Sequence, residues 1–482
     1  VEEEIVTEKQ KKPERTANMR KAANTAGGTG NIKPIVSGNE NTREIVLDML
    51  LAILEGNSYS HTVLNSTLKK YQYFDKQERA FMTRLCNGCV KRYLTLDYQI
   101  NQVATLPVNK MKPLIRNLLR LSVYQIMYMN NIPDAAVCNE AVKLAKKRGF
   151  SKLSGFVNGV LRTLIRNRIT FEIPVKEQDK ADYLKVRTST PHWLVEKLLG
   201  QYNFDLTERM LTASLKEKTT TIRCNKKKIS PLKLKEVLIK EGVTVEDSEY
   251  LDYAFIIKGY DYLGKMQAFL QGYFMVQDVS SMLVCQAADI KENDFVLDIC
   301  AAPGGKTLHA AETAKCVMAR DLTEYKIKLI EENVLRLGAT NVITKMWDAT
   351  KPDPAMCGKA DVVIADLPCS GLGVLGKKAD IKYKLTQEQL DELVKLQRNI
   401  LGVVSEYVKD GGIMIFSTCT VNKEENINNR DWFLKNYEFE AESMDNYLPV
   451  QLQNEDTKNG YLQLLQGVHN TDGFFLARMR KK

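Results

Sequence analysis

The sequence predicts a multidomain chain: an all-α helical bundle, a small α+β subdomain, then an α/β domain built on a doubly wound, Rossmann-like parallel sheet. Three observations carry this reading. The 482 residues suffice for about two to four domains of roughly 100 to 200 residues each. Across residues 41 to 170, apolar positions recur at three- and four-residue spacing and no strand alternation competes. From residue 294 onward, β-rich runs alternate with helical runs, as strand–crossover–strand units require.

Residues 1 to 40 carry 7 basic and 6 acidic residues around AANTAGGTGN, with almost no apolar periodicity, which predicts a flexible tail. The bundle is read from IVLDMLLAILEG, PLIRNLLRLSVYQIMYM, AVCNEAVKLAKKRG and GFVNGVLRTLIRN, with Asp134, Gly149 and Ser154 as start and stop signals. Residues 183 to 270 mix helices at PHWLVEKLLGQY, FDLTERMLTASL and PLKLKEVLIKEG with strands at TTTIRCN, near YAFIIKG and near AFLQGYF. Residues 271 to 482 form the α/β domain, in the order FVLDIC, TLHAAETA, CVMARD, EYKIKLIEENVLRLG, NVITKMWD, DVVIADL, then the helical QLDELVKLQRNILGVVSEYVKDGG before IMIFSTC.

Composition narrows the function classes. No apolar run reaches the roughly 18 residues of a membrane-crossing helix, and the charged first residues lack the apolar stretch of a secretory leader, so a soluble cytoplasmic protein is expected. Only Cys86 and Cys89 among ten cysteines form C-x-x-C, and the four histidines stand in no metal-ligand spacing, so no metal is expected. Chemistry, if present, falls to cysteine and carboxylate. The formal net charge of +10 is uneven: residues 41 to 170 hold 20 basic and 8 acidic residues, whereas residues 171 to 482 hold 42 and 45. Lys143, Lys146, Lys147, Arg148, Lys152, Arg162, Arg166 and Arg168 gather near two predicted helix ends. A solvated face is the plain reading; an excess of twelve charges favours nucleic-acid phosphate.

The first crossover, FVLDICAAPGGKT, places small residues between a strand and a helix start, where backbone can approach a ligand and helix amides face it. It matches neither G-x-x-x-x-G-K-[ST] nor G-x-G-x-x-G, which disfavours a phosphate loop and a nicotinamide dehydrogenase. Asp321 ends the second strand, Asp348 follows the third and Asp366 ends the fourth. Any one acid alone is more often a loop cap, yet three at successive carboxyl ends favour a nucleoside-type cofactor. Cys369 and Cys419 both follow strand ends at that edge, which weakens the reading of them as inert buried thiols.

In the order and spacing of DICAAPGGKT, DLPCSGLG with DIKY, and STCTVNKEEN, the chain resembles the S-adenosylmethionine-dependent RNA 5-methylcytosine methyltransferases. Its front segment, in LLRLSVYQIMYM, IPDAAVCNEAVKLAKK and FVNGVLR, resembles the NusB family of RNA-binding helical domains. Together, from about 41 to 482, it is similar to the RsmB (Sun, Fmu) subfamily, which acts on small-subunit ribosomal RNA. The resemblance implies that Cys300, Ala301, Ala302, Pro303, Gly304, Gly305, Lys306, Asp321, Asp348 and Asp366 line a site for S-adenosyl-L-methionine. It implies Cys419 as nucleophile and Cys369 as the thiol that assists release, and QDVSSMLV at 277 to 284 as a segment lying against the methyltransferase core. Leu367, where many members have Ala, and the CNKK after TIR depart from the family pattern, and neither touches a proposed catalytic atom.

The chemistry wants such residues. Carbon 5 of cytosine is too weak a nucleophile to take a methyl group unaided; a thiolate added to carbon 6 makes it enamine-like. A free thiol needs activation to be thiolate at neutral pH, and Lys306 is one candidate for that role. Asp366, if protonated, could neutralise charge near ring nitrogen 3. The same reaction on transfer RNA, or a non-catalytic RNA-binding or assembly factor, are the alternatives left open. A monomer is expected.

Overall fold

The computed structural model describes residues 41–168, 173–217 and 219–482; the tail expected at residues 1 to 40 lies outside them. The helices begin with α1 (Thr42–Leu50), α2 (Ser60–Lys70), α3 (Lys76–Lys91) and α4 (Tyr93–Val103), followed by α5 (Pro113–Tyr128), α6 (Asp134–Lys147) and α7 (Ser154–Arg166). Local chemistry sets their ends: Asp75 and Glu78 form a capping box on α3, and Pro113 opens α5, where its missing N–H costs nothing. α5 is the central helix. Ile115, Leu118, Leu119 and Val123 are buried among the surrounding helices, as the three-and-four spacing requires.

Three more helices follow: α8 (Lys180–Thr188), which the sequence pattern did not reveal, α9 (His192–Gln201) and α10 (Phe204–Leu215). They lead to an antiparallel sheet of order β2-β3-β1-β4, made of β1 (Thr220–Cys224), β2 (Thr244–Asp247), β3 (Ala254–Lys258) and β4 (Phe274–Val276), with α11 (Pro231–Lys240) between β1 and β2. The strand expected near AFLQGYF is instead a short helix, α12 (Gln267–Leu270), followed by β4. The reason is Gly272, which turns at φ +68° with its α-carbon pressed against the Arg336 carbonyl. Strand β2 also escaped the sequence reading; only one of its four residues is better than exposed, so no alternation marks it.

The large sheet comprises β5 (Phe295–Asp298), β6 (Cys316–Asp321), β7 (Val342–Met346), β8 (Ala360–Asp366), β9 (Val408–Thr418), β10 (Phe439–Ala441), β11 (Tyr461–Leu464) and β12 (Phe474–Lys481). Its order is β10-β12-β9-β8-β5-β6-β7, with β11 paired to β12. Strands β5 to β9 are parallel, as expected, whereas β12 runs antiparallel to β9. The doubly wound expectation therefore describes the centre, and an antiparallel edge completes it. Helices α13 (Val279–Ala288), α14 (Gly305–Ala310), α15 (Glu324–Leu337), α16 (Ile381–Lys384), α17 (Gln387–Ser405), α18 (Ile427–Asn436) and α19 (Glu455–Lys458) make the connections and covers. The central strands read as continuous apolar runs because both faces are buried. Val362 and Ile364 of β8 belong to one buried cluster with Met282 and Leu283 of α13, while Val363 and Ala365 belong to another with Ile400 and Leu401 of α17. The VKDGG stretch, expected to close a helix, is the start of β9; a register irregularity opposite Ala360 and Val362 absorbs its two glycines. No helix among the described residues is long and apolar enough to cross a membrane.

Candidate active site

β8 and β9 run out of the sheet side by side, with Asp366 opposite Ser417 in register. Cys369 follows the first strand by three residues and Cys419 directly follows the second. Their sulfurs lie 3.3 Å apart, both partly exposed, although 50 residues separate them. The loop after Cys369 is tied back by Gly373, whose N–H donates to the Cys419 carbonyl and whose α-carbon touches Gly473 so closely that a methyl group would meet its carbonyl oxygen. Only glycine permits that approach.

The two thiols differ electrostatically. Hydrogen bonding from Cys369 holds Cys419 below the ordinary thiol value; burial and Asp366 oppose this, while Lys378 and Lys306 add to it. Cys369 is pushed well up, first by that hydrogen bond, then by burial and the charge of Cys419. The opposite directions favour the anion on Cys419 and the proton on Cys369. Lys306, the activator named from the sequence, is one of several contributors, behind Cys369.

Lys306 Nζ instead sits 2.6 Å from Asp366 Oδ2, and Ser417 Oγ donates to Asp366 Oδ1 at 2.8 Å. Burial opposes the Lys306 ammonium, and attraction to Asp366 overcomes it, so its pKa is raised. Asp366 therefore accepts from Lys306 and Ser417 at the same time.

The turn after β5 brings the remaining expected residues to the same edge. Gly304 adopts φ +98° and Gly305 begins α14, so the backbone from Cys300 through Ala301, Ala302 and Pro303 wraps the end of the sheet. Asp321, at the end of β6, accepts from the amides of Ala302 and Leu322 and pairs with Lys326. Asp348 lies two residues beyond β7; its Oδ1 accepts from the Thr350 amide and hydroxyl, the arrangement of a turn cap. A further acid at this edge, not among the expected residues, is Asp298, which ends β5 itself. Its Oδ2 accepts from Thr307, its other oxygen is buried without a partner, and burial raises its pKa to about 7. The regularity that revealed Asp321 and Asp366, an acid at a strand's carboxyl end, would have found it.

The expected basic cluster lies on α6 and α7, where carboxylates engage part of it. Lys147 and Arg148 pair with Glu44, Arg148 also with Asp48, Lys143 with Glu140 and Arg168 with Asp134. Lys146, Arg162 and Arg166 are exposed. A cavity of about 1600 Å³ opens elsewhere, between α2, α3, β1 and the loop that follows Cys369. Its lining holds eight cations, among them Lys69, Arg79, Arg92 and Lys377, against three carboxylates, Glu217, Asp261 and Asp278, with Tyr124, Tyr128, Tyr260 and Tyr262 interleaved. Asp278, in the 277 to 284 segment, pairs with Lys377 at 2.9 Å and receives the Asp472 amide, tying that segment to the sheet. Asp179, Asp182 and His192 bring ligand-type atoms within 4.8 Å of one another, a grouping the linear spacing hid; Asp179 is occupied in capping α8.

Residues 285–480 match the family described as "16S rRNA methyltransferase RsmB/F", residues 40–166 the NusB family, and residues 190–260 the ferredoxin-like domain of RsmF/B-like methyltransferases. The "Probable ribosomal RNA small subunit methyltransferase B" of Bacillus subtilis (strain 168) is 36% identical over 451 residues, covering 91% of this chain and 98% of the relative. The "Ribosomal RNA small subunit methyltransferase B" of Serratia proteamaculans (strain 568) is 28% identical over 92% of this chain. The crystal structure of PH0851 superposes with a TM-score of 0.76 at 24% identity, over 93% of this chain and all of the other, which shows the shared fold. With that identity over nearly its whole described length, the chain belongs to the RsmB/F family of 16S ribosomal RNA methyltransferases, carrying NusB-family helices ahead of the methyltransferase sheet.

Proposed function

We propose that this protein methylates carbon 5 of a cytosine in small-subunit ribosomal RNA, in the cytoplasm, using S-adenosyl-L-methionine and a covalent adduct to Cys419. The observation that supports it most is the pair of thiols 3.3 Å apart at the ends of adjacent parallel strands, beside the Lys306–Asp366 ion pair.

The cofactor's chemistry fits the edge described. Asp321 is a carboxylate suited to ribose hydroxyls, the turn from Cys300 to Gly305 leaves backbone accessible, and Asp298 presents a buried oxygen without a partner. When bound, S-adenosylmethionine supplies an electrophilic methyl group. The chain's own residues do the rest. The Cys419 thiolate adds to carbon 6 of the ring, and the electron pair displaced toward nitrogen 3 is neutralised by a proton from the Lys306–Asp366 couple. Once carbon 5 has been alkylated, its proton passes to solvent, the bond from sulfur to carbon 6 breaks with its electron pair returning to Cys419, nitrogen 3 gives its proton back to the Lys306–Asp366 couple, and Cys369 stands 3.3 Å away to assist that release. The basic, tyrosine-lined cavity is the proposed path for the RNA strand, since phosphates favour cations and unstacked bases favour aromatic faces.

Radiolabelled methyl transfer to purified 16S RNA and transfer RNA, followed by mapping of 5-methylcytosine, tests the reading. Incorporation at a cytosine of 16S RNA is expected. Incorporation only into transfer RNA would replace the substrate, and none on any RNA would favour a binding protein.

A further inference from the structure

The NKEEN segment beside Cys419 has no part in the chemistry above, yet its Glu425 is fully buried between the two cysteine loops. Its Oε2 accepts the Ser370 amide at 2.8 Å and the Gln397 side-chain amide at 3.1 Å. Its Oε1 accepts the Ser370 hydroxyl at 2.5 Å and the Asn422 side-chain amide at 3.1 Å. Ser370 directly follows Cys369, and its hydroxyl lies 2.7 Å from that of Thr420, which directly follows Cys419. Gln397 also donates to the Pro368 carbonyl, just ahead of Cys369.

We propose that Glu425 is a positioning residue that cross-braces the Pro-Cys and Thr-Cys loops, fixing the separation of the two thiols and hence their division into nucleophile and donor. The argument is one of accounting for polar groups. Five donors converge on one carboxylate in an interior that excludes water, the fifth being the Thr420 hydroxyl at 3.4 Å, and an acceptor withdrawn from such a site leaves donors stranded. Two of the five belong to Ser370, so the carboxylate sets where the Cys369 loop lies, and Thr420, through Ser370 and its own contact with the carboxylate, carries that placement to Cys419. A distance of 3.3 Å between sulfurs is within donor–acceptor reach, and a displacement of about 1 Å would end the sharing of a proton. Glu425 also adds to the upward push on Cys369, after the hydrogen bond to Cys419, burial and the Cys419 charge. The charged groups facing the pair are Asp366, Lys306, Lys378 and Glu425.

The proposal rests on the two-thiol reading of the site, and its test separates the two. Full-length protein carrying Glu425→Gln, which keeps size but turns an acceptor into a donor, is treated with iodoacetamide across pH, and alkylation of Cys419 and Cys369 is read by peptide mass spectrometry. The ratio of Cys419 to Cys369 modification at neutral pH is expected to fall about fivefold or more. In the same protein kcat should fall about tenfold to hundredfold, with KM for S-adenosylmethionine unchanged. Glu425→Asp should recover part of both. An unchanged ratio, or wild-type kcat with an altered ratio, overturns the brace. Should Glu425→Gln fail to fold, Ser370→Ala, which removes one donor and leaves the carboxylate, is expected to lower the ratio less; no change there overturns the proposal equally. The ratio is measured without RNA, so a wrong assignment of the nucleophile cannot mimic a failed brace.

Discussion

The chain holds two pairs of neighbouring cysteines, and they behave in opposite ways. Cys86 and Cys89 sit three residues apart on α3, both wholly buried among Leu85, Leu96 and Leu118. Burial pushes Cys86 up to about 12 and Cys89 well above its ordinary value, so both remain thiols and act as small apolar fillers. Cys369 and Cys419 are 50 residues apart, partly exposed, and shifted in opposite directions, Cys369 up and Cys419 down. Closeness in sequence marked the inert pair. What makes a thiol reactive is a partner that stabilises its anion, and that partner comes from the sheet.

Breaking this contrast should have its largest effect at Cys419. Cys419→Ala is expected to lower methyl transfer by at least about 10³-fold, whereas Cys369→Ala should slow adduct formation, since Cys419 loses its hydrogen-bond donor, yet slow release more and so accumulate a protein–RNA species resistant to denaturing electrophoresis. A Cys419→Ala enzyme that turns over normally would sink the assignment. A second, intermediate effect concerns pH. The thiolate is the reactive form and the Cys419 pKa is lowered, so kcat/KM should rise with pH along a limb placed below the ordinary thiol value and level off above it. Lys306→Met removes a stabilising charge and should move that limb to higher pH while lowering kcat about tenfold to hundredfold; an unmoved limb would assign the activation to Cys369 and Lys378 without Lys306. The smallest effect belongs to the buried pair. Cys86→Ser places a hydroxyl in an apolar core and should cost about 1 to 3 kcal/mol, read as a lower unfolding midpoint, with methyl transfer per folded molecule unchanged. Loss of activity there would mean that the bundle's cysteines matter beyond packing.

Much of the fold was legible because its signals are local. Helices α1, α5, α6 and α7 follow apolar spacing, and β5, β6 and β8 are short apolar runs whose carboxyl ends carry an acid. What escaped depended on partners distant in sequence. β10, β11 and β12 had no assignment, since an antiparallel edge is recognised only by what it pairs with. α8 is short, and five of its nine residues are charged or polar around a thin apolar stripe. At the site, Cys369, Cys419, Asp366 and Lys306 were each named from strand ends and resemblance. Their relations were not: Lys306 faces Asp366 more directly than it faces Cys419, and Asp298, Ser417 and Glu425 went unnoticed.

By itself, then, the sequence determined the main helices of the bundle, the central parallel strands and the residue types that reach the ligand edge, because helix spacing, apolar runs and turn residues act over a few positions. The charge excess of residues 41 to 170 was legible in the same way, but its disposition was not. Acids such as Glu44 and Asp48 fold back onto the expected cluster, while Lys69, Arg79 and Arg92 line a cavity that three separate parts of the chain build. Tertiary structure alone decided which thiol is favoured as the anion, which cation holds which carboxylate, and where two loops meet on a buried glutamate. Those outcomes depend on distances of about 3 Å between groups remote in sequence, and both the Coulomb and the hydrogen-bond energies that assign the roles fall steeply over that range.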